Sequence, residues 1–596
     1  MTLQTNGALL FRDHVEAAPD RAAFVFGEEG DERTVTYAEH HDAMTRIASG
    51  LVAAGLETGA RVLISAPPGP QLLWAVYGTI RAGLTAVMCD PAMSGSGADA
   101  FLRRADCSAA IVGGTGAVAE AVGRSALPHR FTIGDRTFDD LVAATPVELP
   151  EEVPARHPAL AYSTSGSTGE PKLVIKTHEH LHLLARYRSG AYTATTMASG
   201  DDATRYLVAT SLYHTSGLNA GVMLGLLRGW TGVIADSFNP GKILHKLSRQ
   251  RCATVIFTPS QAAVLLRERE LLASLDFGAL RSVRVGSGPS TPELLRRLQA
   301  ALPGAEVLNI YALTECAPCL GQPPGEKQPL ASCGRPWAGV TARVLDEAGR
   351  EVSEGELWIK SDLISEGTIL DEETARDRYV DGWLRTRDIF RVDDDGWYHF
   401  VGRADDMFVC GGENVYPGEV ERILATHPDV VDVCVVGLPD ANLGAVPAAA
   451  VALRQGSTAT PADLVAFVRE RAAIHLVPQR IAVVGRIPTL GPGKVDRRQV
   501  RQDLLGAPGV AAPVASASTD PIQEQVTQIW KEVMEVDEVD PTVSFFDAGG
   551  TSSLALEMAA RLNEINITVD IGELFINGSV DDIVRLVAEA EETATV

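Results

Sequence analysis

Thr164-Ser165-Gly166-Ser167-Thr168-Gly169-Glu170-Pro171-Lys172 lies between two short apolar runs, 159–162 and 173–176. A polar stretch so placed is expected to form the tip of a β-hairpin. Gly166 and Gly169 let the backbone bend until successive N–H groups face one point. The hydroxyls of Thr164, Ser165, Ser167 and Thr168 add donors, and Lys172 adds positive charge. That chemistry suits a triphosphate. The spacing to the lysine is not that of a Walker loop, and no Ser or Thr follows Lys172. The plain alternative is a mobile polar turn, but a spacer has no reason to end in Pro-Lys between two apolar strands.

Outward from this loop, helical stretches such as 38–54 alternate with short apolar strands such as 61–66 and 253–257. The alternation continues to about residue 403 and argues for a layered α/β architecture. A smaller α/β pattern follows over 404–505, with a strand-like run at 430–438 and a helix at 461–473. Residues 506–520 (GAPGVAAPVASASTD) have no aromatic and no periodicity. They are expected to be a flexible linker spanning roughly 20 Å. The remaining segment, 521–596, reads as a compact domain of four short helices.

The chain has 596 residues, which is too long for one core. Its 45% hydrophobic and 22% charged content is globular, and a net charge of −25 argues against a duplex nucleic-acid binder. Charge is unevenly placed: from Pro521 on there are 16 Asp or Glu against 3 Lys or Arg, a net of −13. A small acidic module of this kind presents its charge to basic partners. The opening residues lack a continuous apolar core, so no secretory signal is read there and a cytoplasmic location is expected. The long uncharged stretch 206–227 contains Ser, Thr, His, Asn and three Gly, and is read as strand, loop and helix rather than a membrane span. The eight cysteines show no disulfide framework. Cys316 and Cys319 form a lone C-x-x-C, read as pocket-lining thiols. His178, His180 and His182 are read as the solvated start of a helix, since no carboxylate or Cys joins them at ligand spacing.

Near the far end stands Phe545-Phe546-Asp547-Ala548-Gly549-Gly550-Thr551-Ser552. Ser552 would open a helix whose apolar positions Leu554, Met558 and Leu562 recur every four residues, leaving its hydroxyl exposed at the helix start. A plain N-cap is the alternative for a lone Ser. The preceding Phe-Phe and Gly-Gly favour an attachment site.

The run 162–172 resembles the phosphate loop of the adenylate-forming superfamily, which includes acyl- and aryl-CoA ligases and the adenylation domains of nonribosomal peptide synthetases. The resemblance covers nearly all of residues 1–505, and four further segments match in order and spacing. In Asn309-Ile310-Tyr311-Ala312-Leu313-Thr314-Glu315 it implies that Tyr311 stacks on adenine, Thr314 touches the α-phosphate and Glu315 holds Mg²⁺, an ion that prefers oxygen ligands. Relatives have Gly-Pro or Gly-Thr where this chain has Ala312-Leu313. In Thr386-Arg387-Asp388, where relatives have Thr-Gly-Asp, Asp388 accepts from the ribose hydroxyls. In Gly402-Arg403-Ala404-Asp405-Asp406, Arg403 meets the ribose and Asp405 is the hinge of the small domain. Gly411 and Gly412 just beyond suit a pantetheine tunnel. In Gly491-Pro492-Gly493-Lys494, Lys494 is the catalytic lysine that bridges substrate carboxylate and α-phosphate. Gly286 and Asn309 fall beside the nucleotide by the same resemblance, and His214 is a further catalytic candidate. The segment 547–552 resembles the attachment motif of peptidyl and acyl carrier proteins, with Ser552 carrying 4'-phosphopantetheine.

The resemblance therefore implies three parts: a large α/β adenylation subdomain (1–403), a small mobile α/β subdomain (404–505) and, after the linker, a four-helix carrier domain (521–596). Its cofactors would be ATP, Mg²⁺ and 4'-phosphopantetheine, and its partners a carboxylic acid, a phosphopantetheinyl transferase and downstream carrier-dependent enzymes. Neither nucleic acid nor membrane is implied. Amino-acid-activating relatives place an Asp where this chain has His214, so a buried α-ammonium would lack a carboxylate partner. Matching pocket segments gives His214, Leu218, Phe257, Val283, Val285, Ile310, Pro318 and Cys319 as lining. That set favours an aryl or other hydrophobic acid, loaded onto the chain's own carrier as a step in natural-product (antibiotic) assembly. The alternatives are a ligase using free CoA and a non-catalytic docking scaffold.

Overall fold

The computed structural model describes residues 3–93, 95–165, 171–187, 204–323, 325–365, 368–369, 378–410, 413–440, 443–454, 456–490, 494–506 and 521–534, with scattered residues beyond, chiefly 557–559, 561–562 and 578–586. The chain divides into two compact units, one of Met1–Ala404 with Thr489–Val495, the other of Asp405–Pro488 with Asp496–Val596.

The first unit holds two seven-stranded sheets. One runs Thr368–Ile369, Pro171–Thr177, Pro158–Ser165, Thr85–Met88, Arg61–Ser65, Ala109–Gly113, His129–Ile133 in space. Pro158–Ser165 and Pro171–Thr177 pair antiparallel with Thr164 opposite Lys172, so the glycine and hydroxyl run does join two strands of a hairpin. The residues 166–170 themselves lie outside the described part.

The other sheet runs Glu306–Asn309, Ser282–Val285, Thr254–Phe257, Arg205–Val208, Thr231–Ile234, Ala22–Phe26, Arg33–Thr36. Its inner strands are parallel, so both faces are covered and the strands are almost uniformly buried. One face packs under the helices Pro240–Arg249, Pro259–Leu265 and Pro292–Ala301, whose Ile243, Leu247, Leu265, Leu295 and Leu298 share a core with Val255, Phe257, Val283, Val285 and Val307. The opposite face packs on the segment Thr215–Leu226, through Leu218, Val222 and Leu226.

Two helix starts show a clear local cause. Thr36 and Thr258 make capping boxes with Glu39 and Gln261, and Pro259 occupies the first turn, where a missing N–H costs nothing.

His178 and His180 are not the solvated helix start read from the sequence: both are buried. The amide of Gly7 donates to His178 Nδ1 at 2.9 Å, and the Thr177 amide donates to His180 Nδ1 at 2.9 Å. His180 Nε2 meets the Ile364 carbonyl at 3.1 Å, so the ring ties its helix to a distant loop as a neutral imidazole.

A further sheet pairs Glu354–Ser361 with Trp383–Val392, which also pairs with Tyr398–Arg403. In the second unit, Val430–Asp440 pairs with Gly444–Leu453, and Arg480–Val484 joins in parallel. Arg497 there makes two bonds to the buried carboxylate of Glu421, at 2.6 and 3.1 Å. Of the carrier segment, the helix Pro521–Met534 is described. Val526, Trp530, Phe545, Met558 and Leu562 share its core, with Leu554 packed against them.

Candidate active site

Asp388 lies in a bulge. Glu356 pairs with Ile389 and Trp358 with Arg385, so the strand Trp383–Val392 carries extra residues at 386–388. Arg387 at the bulge has φ 59°, in the left-handed region where glycine is at ease. The substitution that stands out in the sequence therefore falls where the backbone itself calls for glycine. The Arg387 amide donates to Glu356 Oε1 at 3.0 Å, and the Asp388 amide donates to Thr386 Oγ1 at 3.1 Å, which holds the bulge.

The bulge turns the Asp388 carboxylate inward, where it is 3% exposed. Tyr311 donates its phenol proton to Oδ2 at 2.5 Å, and Arg403 Nη1 stands 3.2 Å from Oδ1. Burial pushes the Asp388 carboxyl above its ordinary range, while Arg403 and the Tyr311 hydrogen bond pull it back. Tyr311 is held edge-on to Phe390, with ring centroids 4.8 Å apart.

Glu315 sits on the loop after the strand Glu306–Asn309. Its backbone carbonyl accepts from Lys176 Nζ at 2.9 Å and from the Ser365 amide at 2.9 Å, which anchors the loop backbone at this residue. Arg378 donates to its carboxylate at 3.0 Å, with each side chain 17% exposed. Neither Ala312 nor Leu313 has a positive φ, so this loop does not require the glycine that relatives carry there.

Lys176, which sequence reading passed over as part of a strand, is buried, and burial pushes its amine down to about 8. A lysine ending an otherwise apolar strand is the signal that could have flagged it. Asn309 is buried; it donates to Cys333 Sγ at 3.4 Å and its carbonyl accepts from Gln328 at 2.7 Å. Gly286 faces Ile310, whose side chain would lie 2.6 Å from an added Cβ.

The pocket expectation needs correction in part. Leu218 and Cys319 belong to the main core, whereas Phe257, Val283 and Val285 pack beneath helices on the other face of the parallel sheet. Side chains alternate along a strand, so the face toward Thr215–Leu226 is instead offered by Ile256 and Arg284. With Ser216, Gly221 and Tyr206 they line a cavity. Cys316 and Cys319 are both fully buried, so they are core thiols rather than lining; the Cys319 thiol donates to the Cys316 carbonyl at 2.7 Å. His214 stands half-buried as N-cap of the short helix Thr215–Gly217, while Ile310 and Pro318 are half-buried at the strand end and loop.

Other residues singled out in the sequence are reached only in part. Thr164, Ser165 and Lys172 are described as hairpin backbone, and Lys494 as backbone of the strand Lys494–Val495, which pairs with Thr489–Leu490. Thr314 is half-buried beside Glu315. Asp405 begins the second compact unit, in the turn Ala404–Asp406. Gly411, Gly412 and Ser552 lie outside the described residues. No described helix is long and apolar enough to cross a membrane.

A carboxylate buried between a phenol and a guanidinium can hold a diol, and a second carboxylate on an adjoining loop can hold a hard cation. Comparison with known proteins agrees with a nucleotide-using site. Residues 11–368 match the AMP-binding enzyme family, 419–494 its C-terminal domain, and 524–587 the phosphopantetheine attachment site family. A 3-[(3aS,4S,7aS)-7a-methyl-1,5-dioxo-octahydro-1H-inden-4-yl]propanoyl:CoA ligase of Mycobacterium tuberculosis is 30% identical over 82% of this chain and 97% of its own length. A feruloyl-CoA synthase of Amycolatopsis sp is 30% identical over 78% of this chain and 94% of its own. The crystal structure of an anthranilate CoA ligase in complex with anthranoyl-AMP shares the fold, with TM-score 0.77 at 22% identity over 85% of this chain and 98% of that one. The chain belongs to the AMP-binding enzyme family of adenylate-forming ligases and carries a C-terminal phosphopantetheine attachment domain.

Proposed function

We propose that this ligase activates a carboxylic acid lacking an α-ammonium group, with an aryl or other apolar body, and loads it onto its own carrier domain. The acid's carboxylate oxygen attacks the α-phosphorus of ATP and pyrophosphate leaves, giving an acyl-adenylate. Asp388 and Arg403 hold the ribose, Tyr311 covers the adenine, and Thr314 meets the α-phosphate. Asn309 and Gly286 shape the floor beside the base. Glu315 fits Mg²⁺ because its carboxylate offers hard oxygen ligands, and its present partner Arg378 is one that a cation can displace. The hairpin residues 164–169 and Lys172 receive the leaving phosphates. Lys494 neutralises charge on the reacting oxygens as it develops. His214, at the helix start where amino-acid-activating relatives have Asp, offers no carboxylate to an ammonium, and the aryl acid in the name of the feruloyl-CoA synthase supports the same substrate class.

A phosphopantetheine arm on Ser552 supplies the thiol that takes the acyl group as AMP leaves. Asp405 serves as the hinge that re-aims the small subdomain between the two half-reactions. The linker 506–520 keeps the acceptor close, at an effective concentration in the millimolar range. The chain acts in the cytoplasm, after modification by a phosphopantetheinyl transferase, and hands its acyl group to carrier-dependent enzymes of natural-product assembly.

The observation that carries the reading is the joining of both AMP-binding domains and a phosphopantetheine attachment domain in one polypeptide. ATP–pyrophosphate exchange over a panel of acids tests the first half. Acylation of holo-protein compared with Ser552→Ala, with CoA-thioester formation measured alongside, tests the second. A CoA thioester as sole product would favour a ligase using free CoA, and no exchange with any acid would favour a docking scaffold.

A further inference from the structure

We propose that Arg497 is a positioning residue for adenylation, holding the root of the loop that carries Lys494. The inference rests on the role given to Lys494 above and adds a residue that acts through that lysine rather than on the substrate.

The short hairpin Thr489–Val495 groups with the first compact unit, whereas Pro488 before it and Asp496 after it group with the second. Thr489 pairs with Val495 and Leu490 with Lys494, and the Asp496 amide donates to the Pro488 carbonyl at 2.8 Å, which pinches the loop at its neck. Asp496 then caps the helix Arg497–Gly506, its carboxylate accepting from the Gln499 amide at 3.0 Å. Arg497 opens that helix three residues after Lys494, a reach of at most roughly 10 Å of chain.

The surroundings of Arg497 suit a guanidinium and no other cation. Nη1 and Nη2 donate to Glu421 Oε1 and Oε2 at 2.6 and 3.1 Å, and Nη1 also donates to the Val435 carbonyl at 2.6 Å. Nε stands 3.4 Å from Asp406 Oδ2. Glu421 is 7% exposed, and its Oε1 accepts from the Val435 amide at 2.9 Å as well. One side chain thus joins the helix Pro417–Leu424, the strand Val430–Asp440 and the turn Ala404–Asp406 to the helix that begins where the lysine loop ends. A fixed fork of five N–H donors can serve three elements at once, which a single ammonium cannot. The turn is also where the chain passes between units, since Ala404 closes the first stretch of one and Asp405 opens the other. Arg497 therefore gives the lysine loop and the hinge turn one rigid base. A shift of that base by about 1 Å is enough to cost on the order of 100-fold in rate.

The test is ATP–pyrophosphate exchange by the full chain, with an acid that supports it, in Arg497→Lys, Arg497→Met and Arg497→Met/Glu421→Gln, each alone and combined with Lys494→Ala. Arg497→Met leaves Glu421 buried without its counter-charge and is expected to destabilise the second unit, so the paired replacement removes both charges while keeping an acceptor for the Val435 amide. Thermal unfolding checks that each protein is folded. The expected result for the paired variant is a kcat lower by about 10- to 100-fold with KM for ATP unchanged, and a smaller loss for Arg497→Lys. On the Lys494→Ala background the same replacements should cost no more than about 2-fold, because the group they position is gone. Unchanged kcat in folded variants, or equal losses with and without Lys494, overturns the inference and leaves the ligase reading standing. Exchange undiminished by Lys494→Ala overturns the role given to that lysine and this inference with it.

Discussion

Asp388→Asn isolates the contact on which nucleotide recognition is argued to turn. In the structure the carboxylate is buried, accepts the Tyr311 phenol proton and faces Arg403. An ionised carboxylate can accept from both ribose hydroxyls, whereas a carboxamide keeps one acceptor and points a donor at the other hydroxyl. Hydrogen bonds to charged groups contribute about 1.5–3 kcal/mol each. Losing one and weakening the other should therefore cost about 2–3 kcal/mol, a fall of about 30- to 150-fold in kcat/KM for ATP, at 1.4 kcal/mol per tenfold. The assay is pyrophosphate exchange with ATP and with 2',3'-dideoxy-ATP for both proteins. With the dideoxy nucleotide there are no hydroxyls to lose, so the gap between the two proteins should shrink to a few-fold. An equal penalty with both nucleotides would refute the reasoning and make Asp388 a fold residue. Because burial raises the Asp388 carboxyl, the acid limb of kcat/KM for ATP should turn at a pH above that of an ordinary aspartate, the protonated form being the inactive one.

Arg387→Gly should raise the stability of the large unit by up to about 1 kcal/mol, since the left-handed penalty of about 1–2 kcal/mol exceeds the extra chain entropy of glycine; urea unfolding followed by tryptophan fluorescence reads the gain, and a loss would contradict it. Burial pushes His40, His178 and His180 down to about 3, 3 and 4. Their folded pKa values lie below the unfolded value, so the stability they confer is present above pH 7 and is lost as pH falls through the window from 6.5 toward 3. At pH 5.5 the loss should be about 1.4 kcal/mol per residue relative to pH 8. Asp388, shifted upward, offsets part of it. His40 lies among Phe11, Phe24 and Tyr77 with neither ring nitrogen hydrogen-bonded, so His40→Phe should remove about a third of the histidine share; an unchanged pH slope in urea midpoints would contradict this. Lys494→Ala should lower exchange by about 10²- to 10³-fold, yet leave acylation from chemically made acyl-adenylate within a few-fold; equal losses in both assays would refute a role confined to adenylation.

The hairpin around 164–172 was legible because glycine and hydroxyl residues between two apolar runs leave few other conformations. The layered α/β fold was legible from alternating periods, and the family from ordered motifs. The pocket was legible only by segment. Val283 and Val285 come from matching pocket segments by resemblance, but a strand shows alternate residues to opposite faces, and a slip of one residue exchanges the two. Arg284, between them, faces the cavity. Val283, Val285 and Phe257 all pack in the helix-covered core. Lys176, His178 and His180 were hidden for a different reason: polar residues read as exposed, while tertiary partners such as the Glu315 and Ile364 carbonyls bury them. The anomaly at Arg387 was visible in the sequence, but its meaning needed the backbone angle.

The most direct measurement of the central claim is the intact mass of phosphopantetheinylated protein after single turnover with ATP, Mg²⁺ and an acid that supports exchange, with free CoA left out. The account predicts a gain equal to the acyl group, lost on treatment with hydroxylamine and absent from Ser552→Ala. Holo-protein that makes adenylate yet stays at its starting mass would contradict it.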